Sequence, residues 1–492
     1  MKYNISFKKN VMLTAFIAVM GMFTACDDSI DVTSVDENQY TTSTDAIGYI
    51  VNNEGKRGNS SIEFRTEGSA DLFLGLSKNV EKDVTAKLVY QADALKAYNE
   101  TNNTDYELFP QELVTLEQAF SVKKGSKKSE KVEVKFKTGA TLVANKTYVI
   151  PLQSESADVK LSTTDSNYFI FIKDLTNVPD CNKATGMKII HCMSANNTNP
   201  LNNLNFILKD SKKQLFDWVI LFSSNINYNA ETGRVYIYHN PNCEHILSNR
   251  DKYIKPLQDR GIKVLLSVLG NHDRSGINNL SDETAREFAQ EIKMTCDAYG
   301  LDGVFFDDEY SSYINPAPVG FVSPSSAAAA RLCYETKQAM PDRLVTTYVW
   351  ADLSSLPSVQ DDEGNEVEPG NFVDCAIHDY GRGSDLSSSY PGLDKENMGL
   401  YSQEFAQARY AYESNLVEMR DNGYKKHMIF VMDPFADHFW FDNGGKGSQK
   451  EALEKMTKTF FGEDLMVVDR DGNEVTEYDK NKFPNQFYKK DW

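Results

Sequence analysis

The 492-residue sequence contains no CxxC pair, no HExxH run and no GxGxxG or Walker-type glycine loop. Paired-cysteine zinc modules, zincin-type metal sites and the common nucleotide-binding folds are therefore disfavoured, and no metal or other cofactor is expected. Cations are short as well. Lys plus Arg number 52 against 71 Asp plus Glu, a net charge of −19 that would repel phosphate backbones and so excludes nucleic acid as an expected partner. The uncharged run Val11 to Ala25 is too short to cross a bilayer comfortably. Six cysteines beyond Cys26 (Cys181, Cys192, Cys243, Cys296, Cys333 and Cys375) are irregularly spaced, several within apolar segments, which predicts free buried thiols and no disulfide framework. What is present is ordinary globular composition, 41% hydrophobic and 25% charged, at a length suited to two or three domains. Aromatics reach 11%, a supply of flat faces for cores or sugar rings.

Lys2, Lys8 and Lys9 precede the uncharged run and Phe23-Thr24-Ala25-Cys26 closes it, the layout of a secretory signal. Small residues directly before a cysteine resemble the lipobox of bacterial lipoproteins, whose new N-terminal cysteine is acylated. The resemblance implies a signal peptide over 1–26, lipidation at Cys26 and a membrane anchor; the alternative is a plain secretory signal with a chance cysteine. Asp27-Asp28 resembles the surface-export signal of some Gram-negative lipoproteins, so the expected location is the outer membrane, facing outward. Residues 27–45 are polar and unpatterned, as a tether would be.

From 46 to 177 the hydrophobic period is two. Lys131 to Lys137 alternates cleanly, and Val84 to Tyr90, Tyr148 to Leu152 and Tyr168 to Ile172 are β-branched or aromatic runs between polar turns. An antiparallel β-sandwich is expected, interrupted by a short helix over Asp93 to Glu100 and an insert through Pro110. This segment resembles the all-β domain that precedes the catalytic or glycan-binding part of many Gram-negative surface lipoproteins. After residue 183 the rhythm changes to apolar runs separated by amphipathic stretches. Met187–Met193, Trp218–Ser223, Ile262–Leu269, Leu301–Asp307, Leu344–Val349, Phe372–Ile377 and Met428–Met432 read as buried parallel strands, with a weak eighth near Met398–Tyr401. Helices are expected over Asp251–Arg260, Asp282–Tyr299, Ser325–Met340 and Tyr401–Asn422, the second capped by Ser281. The fold class is thus α/β, a (β/α)8 TIM-type barrel over 183–492 behind a smaller all-β sandwich.

The chemistry concentrates in Asp302-Gly303-Val304-Phe305-Phe306-Asp307-Asp308-Glu309. Alternate strand residues share a face, so Phe305, Asp307 and Glu309 point one way and Val304, Phe306 and Asp308 the other. Two acids emerge together at the C-terminal end of a strand, where barrel enzymes keep their chemistry. Common glycosidase mechanisms need carboxylates on opposite sides of the scissile bond, and no opposing carboxylate is evident in sequence. Neighbours on one face instead suit an acid plus a helper, with the substrate's 2-acetamido group as nucleophile.

The stretch resembles the glycoside hydrolase family 18 motif D-G-x-D-x-D-x-E, and more closely the endo-β-N-acetylglucosaminidases of the endoglycosidase H and F type. Asn197 to Asn202 after the first strand, Asn225-Ile226-Asn227-Tyr228 after the second and Gly261 to His272 at the third extend the likeness over roughly 186–440. The resemblance implies hydrolysis of the GlcNAc-β1,4-GlcNAc core of N-linked glycans, without a cofactor, by a monomer. It implies Glu309 as general acid and then base, Asp307 as the residue that orients the acetamido group, and Tyr380 as a hydrogen-bond donor to it. Asn271, Trp350, Asp379 and Trp440, at expected strand ends, are the candidate substrate-binding residues. Phe305 stands where the family has its middle aspartate, which removes one carboxylate, desolvates Asp307 and should raise its pKa. The alternatives are a non-catalytic surface glycan-binding lipoprotein and a chitinase.

Overall fold

Alternation builds the first half of the chain. In Val132–Lys137 the buried residues are Val132, Val134 and Phe136, every second side chain. A computed structural model describes residues 45–492 apart from 117, 118, 164 and 382; the expected signal peptide, Cys26 and nearly all of the tether lie outside the described residues. One N-terminal sheet orders strands 160–161, 47–52, 67–76, 132–137 and 114–116 side by side, and a second orders 59–64, 167–174, 147–155, 84–90 and 119–122. The expected antiparallel pairing needs correction at three places. Residues 47–52 run parallel to 160–161, 59–64 to 167–174 and 107–108 to 147–155. The chain crosses between sheets after Asn52, so 59–64 lands beside the last strand instead of forming a hairpin with its predecessor. The helix Ala92–Asn102 ends on Asn103 in the left-handed region, φ 49°, whose N–H reaches the Asn99 carbonyl.

The second half follows the other rhythm, strands buried on both faces. In chain order they are β1 (Lys188–Ser194), β2 (Trp218–Asn229), β3 (Lys263–Leu269), β4 (Gly303–Phe306), β5 (Leu344–Val349), β6 (Cys375–His378), β7 (Met398–Gly399), β8 (Ser402–Glu404) and β9 (Lys426–Phe430). They form one parallel sheet in the order β7-β6-β5-β4-β3-β2-β1-β9-β8. β7 pairs with β6, and β8, two residues further along the same run, pairs with β9; Tyr380 also bridges to Ser402. The sheet is barrel-like in this sense. Ile190, Cys192, Trp218, Ile220, Leu265, Phe305, Tyr348, Cys375, Ile377 and Met428 form one apolar cluster, whereas Val304 and Phe306 of β4 belong to a second that includes residues of the flanking helices.

The four longest helices of this half, among the described residues, are α1 (Asp282–Tyr299), α2 (Ser326–Ala339), α3 (Glu413–Asp421) and α4 (Gln449–Phe461). The Ser281 side chain caps α1 by accepting the Thr284 N–H, and Gly300 at φ 63° closes it. Asp251–Arg260 is two short turns, Arg250–Tyr253 and Lys255–Gln258, because Pro256 cannot donate to the preceding turn. The helix expected over Tyr401–Asn422 is confined to α3. Its first part is β8 and a turn, since Ser402, Gln403 and Glu404 are buried beside β9 and their backbone groups are used in the sheet. All six described cysteines are free and buried.

Candidate active site

The motif begins with two structural residues. The Asp302 carboxylate accepts the Val264 N–H at 2.9 Å and Gln258 Nε2 at 2.8 Å, tying the start of β4 to β3. A Cβ on Gly303 would lie 2.2 Å from the Leu344 carbonyl oxygen, so only glycine lets β5 approach. Beyond Phe306 the ladder continues: the Asp307 N–H donates to the Val268 carbonyl at 3.1 Å, and the Gly270 N–H to the Glu309 carbonyl at 3.0 Å. Gly270 is required there, since a Cβ would stand 2.4 Å from that carbonyl oxygen. The next residue, Tyr310, sits at φ 60° and accepts the N–H of His272, itself at φ 59°. Two non-glycine residues in the left-handed region beside the acids are backbone strain of the kind that collects at functional sites.

Asp307 and Glu309 share a cavity of about 320 Å³ with Phe305, Tyr310, Tyr348, Trp350, Asp379 and Tyr380. Asp307 is 3% exposed, and one of its oxygens has no hydrogen-bond partner among the described residues. Burial pushes its pKa well above the usual carboxylate range, and the charges of Glu309 and Asp308 push the same way. Glu309 is raised too, first by burial and also by Asp379 and Asp308, while its hydrogen bond with Asp307 pulls it down. One proton held between two carboxyls is the physical content of this pair. Asp308 faces away, accepting Asn278 Nδ2 at 3.0 Å, the Asp352 N–H at 3.1 Å and the Tyr313 hydroxyl at 3.1 Å, so it ties loops together.

Tyr380 and Asp379 follow β6. The Asp379 carboxylate accepts the Tyr348 hydroxyl and the Tyr380 N–H, both at 2.6 Å. The Tyr380 ring lies 6.2 Å from that of Tyr348 and 6.1 Å from Phe430, and burial pushes its phenol pKa far up, so the hydroxyl stays a donor. The arrangement offers a proton-sharing carboxyl pair, a neutral phenol and an apolar floor within one pocket. A larger polar cleft of about 700 Å³, between residues 52–62 and the end of α2, holds none of these groups.

Over 335 residues the chain is 50% identical to endo-beta-N-acetylglucosaminidase F1 of Elizabethkingia meningoseptica, a match covering 68% of this chain and 91% of that protein. The chain belongs to the endo-β-N-acetylglucosaminidases of the endoglycosidase H/F type. A Flavobacterium sp. (strain SK1022) endo-beta-N-acetylglucosaminidase is 30% identical over 250 residues, 50% of this chain and 72% of that one. Among solved structures, EndoBT-3987 of Bacteroides thetaiotamicron with a Man5GlcNAc product matches with TM-score 0.75 and 33% identity over 89% of this chain and 99% of that one. Its complex with a Man9GlcNAc2Asn substrate matches with TM-score 0.70 and 31% identity over the same shares. Residues 39–161 match a family of N-terminal domains.

Of the residues nominated from sequence, this endoglycosidase brings Asp307, Glu309, Tyr380, Trp350 and Asp379 to the cavity. Two are elsewhere. Asn271 donates to the Asn227 side chain at 3.1 Å, joining the ends of β2 and β3 outside the cavity lining. Trp440 packs among Phe439, Tyr478, Phe483 and Phe487 and donates its indole N–H to the Pro434 carbonyl, so its apolar surface is spent on the C-terminal segment. Sequence reasoning missed Glu404, Gln407 and Arg409, which line the wall supplied by β8 and the turn after it. Glu404 adds a carboxylate to the lining that the sequence reading did not nominate. The one available signal was a glutamate inside a buried run, and the assumed helix concealed it.

Proposed function

We propose that this chain hydrolyses the GlcNAc-β1,4-GlcNAc core of N-linked glycans with retention of configuration, using the substrate's acetamido group as nucleophile. The observation that carries the reading is the Asp307–Glu309 pair at one strand end, Asp307 buried and Glu309 half-buried, with both carboxyls pushed up in pKa. Two further carboxylates line the cavity, but both are engaged. Asp379 is held by Tyr348 and the Tyr380 N–H, and Glu404 accepts the Gln407 N–H at 2.8 Å, so neither is a free nucleophile on the opposite face. A lectin derived from this fold would have little use for a strained, pKa-shifted acid pair.

Each step then has a residue. In the free enzyme the shared proton rests mainly on Asp307, the more strongly raised member. An acetamido N–H presented to Asp307 favours its ionised form, which shifts the proton to Glu309, where an acid is needed. Glu309 protonates the leaving oxygen as the acetamido oxygen attacks C1; the glycosidic bond breaks and an oxazolinium forms, its N–H held by Asp307. The Glu309 carboxylate next takes a proton from water, which attacks C1 and reopens the ring. Tyr380 supplies the hydrogen bond that orients the acetamido group. The same reading takes 183–492 as a (β/α)8 barrel closed through β7 and β8 behind a sandwich over 46–177. It takes the chain as a monomer anchored in the outer membrane by lipid on Cys26. Mass spectrometry of glycans released from a high-mannose and a biantennary glycoprotein tests the activity: products carrying one reducing-end GlcNAc support it, and digestion of unbranched GlcNAc polymer with no N-glycan release overturns it.

A further inference from the structure

Asp308 is a buried acid, 5% exposed, standing in sequence between the two that do the chemistry. Consecutive Cα atoms are about 3.8 Å apart, so a side chain that faces away from Asp307 and Glu309 is still an electrostatic neighbour of both. Three loops converge on it. Tyr313 after β4 donates its hydroxyl at 3.1 Å, Asn278 after β3 its Nδ2 at 3.0 Å, and Asp352 after β5 its N–H at 3.1 Å. Asn278 Nδ2 also reaches the Asp352 carboxylate at 2.6 Å, while its buried Oδ1 has no hydrogen-bond partner among the described residues. An amide that turns its nitrogen to two carboxyls and leaves its oxygen unpaired marks a place shaped for negative charge. Two of the three groups that meet Asp308 are N–H groups, which can only donate and so favour the ionised carboxyl. Burial raises the Asp308 pKa and the Asp352 charge adds to the rise, while the three donors oppose it.

A fixed negative charge behind a proton-sharing pair opposes loss of that proton, because losing it sets a second charge beside the first. Resting on the reading of Asp307 and Glu309 as the catalytic pair, we propose that Asp308 is a positioning residue whose buried charge holds the shared proton on that pair up to neutral pH, besides tying the loops. The push that Asp308 exerts on both members is upward, as this requires. Asp308 is outside the cavity lining, so its charge acts without occupying space that a sugar needs; Phe305, on the cavity side, supplies an apolar surface and no charge. Among the other groups facing the pair, Cys192, Tyr310, Tyr348 and Tyr380 have raised pKa values and keep their protons. Asp379 and Glu404 are further carboxyls and Arg409 is a cation. All of these are unchanged when residue 308 alone is replaced, so its charge can be read by itself.

Asp308→Asn is isosteric. Its oxygen accepts from Asn278 and the Asp352 N–H while its nitrogen donates to the Tyr313 oxygen, so the contacts survive and the charge goes. Asp308→Ser removes the charge with a smaller side chain, and Tyr313→Phe loosens the loops with the charge in place. The pH profile of kcat/KM on a glycopeptide with a trimannosyl core reports the ionisations of the free enzyme. Its alkaline limb should move down by about one pH unit in both variants at 308 and stay within about 0.3 unit of wild type in Tyr313→Phe. Infrared titration of the protonated-carboxyl band, which needs no substrate, should show the same shift. A limb and band that stay put in a folded Asp308 variant would overturn the proposal, as would an equal shift in Tyr313→Phe, which places the effect in loop geometry. Failure of both Asp308 variants to fold would also overturn it and leave Asp308 a loop tie. A wild type that releases no N-glycan, with the band still shifted in Asp308→Asn, would remove the N-glycan reading alone.

Discussion

Asp217 and Asp307 are equally buried, 3% exposed each, at opposite ends of the same sheet, and they are treated in opposite ways. Asp217, just before β2, receives Lys183 Nζ at 2.7 Å, Lys188 Nζ at 3.3 Å and the Ile189 N–H at 2.8 Å. Asp307, just after β4, has carboxylates for charged neighbours and one oxygen without a partner among the described residues. At the N-terminal end of the strands a buried carboxylate is met by ion pairs; at the C-terminal end the charged neighbours are carboxylates, which favour the protonated form. Exposure is the same in both places, so the difference lies in the partners that each carboxyl meets. The paired end serves folding, while the unpaired end spends stability on a displaced pKa.

The contrast can be broken most forcefully at the acid. Glu309→Gln should lose about 10³-fold or more in kcat/KM and should also fail to join a glycan oxazoline to a GlcNAc acceptor, since no base remains. Asp307→Asn should lose about 10²- to 10³-fold in hydrolysis yet keep oxazoline transfer, because that donor enters after the step Asp307 assists. Equal loss of transfer in both, with circular dichroism unchanged, would end this division of labour.

The paired end should respond in stability. Lys183→Met leaves buried Asp217 with the half-buried Lys188 and the Ile189 N–H, and chemical denaturation should show a loss of about 3 to 5 kcal/mol. Asp307→Asn should do the reverse, gaining about 1 to 3 kcal/mol near neutral pH by removing a buried carboxyl that must take up a proton on folding. The sign follows from linkage. A carboxyl whose folded pKa is raised contributes full stability below the ordinary carboxylate range and loses it as pH rises through the folded value. The advantage of Asp307→Asn should therefore vanish in acid and grow toward neutrality.

A smaller effect sharpens the other side. Tyr106, in the insert after the N-terminal helix, donates to Asp342 Oδ1 at 2.8 Å, and Thr147 donates to Oδ2 at 2.7 Å. Burial would raise the Asp342 pKa, but Arg343, Lys173 and these hydroxyls more than offset it, and the net shift is downward. Tyr106→Phe should cost about 1 to 2 kcal/mol at neutral pH, with kcat/KM unchanged, and the loss should shrink as pH falls through the lowered Asp342 pKa.

Much of this was legible because two regular periods carry it. Alternation placed Asp307 and Glu309 on one face and Asp308 on the other, and apolar runs located most strands of the barrel-like sheet. The seam β7–β8 was nearly invisible: two and three residues long, with Gln403 and Glu404 buried as polar side chains, it lay at the start of an apparent helix. Glu404, Gln407 and Arg409 were lost with it. Trp440 and Asn271 were placed by strand-end position alone, and their contacts with the C-terminal segment and with Asn227 come from tertiary packing that no local pattern records. The parallel edge 59–64 was hidden for the same reason, since alternation fixes which face is buried but not the neighbouring strand.

The central claim is that the Asp307–Glu309 pair keeps a proton at neutral pH, mainly on Asp307. Infrared difference spectroscopy of wild type against Asp307→Asn tests it directly. The account predicts a protonated-carboxyl stretch near neutral pH that disappears in the variant and persists in Lys183→Met; the absence of any protonated-carboxyl band in the wild type would contradict it.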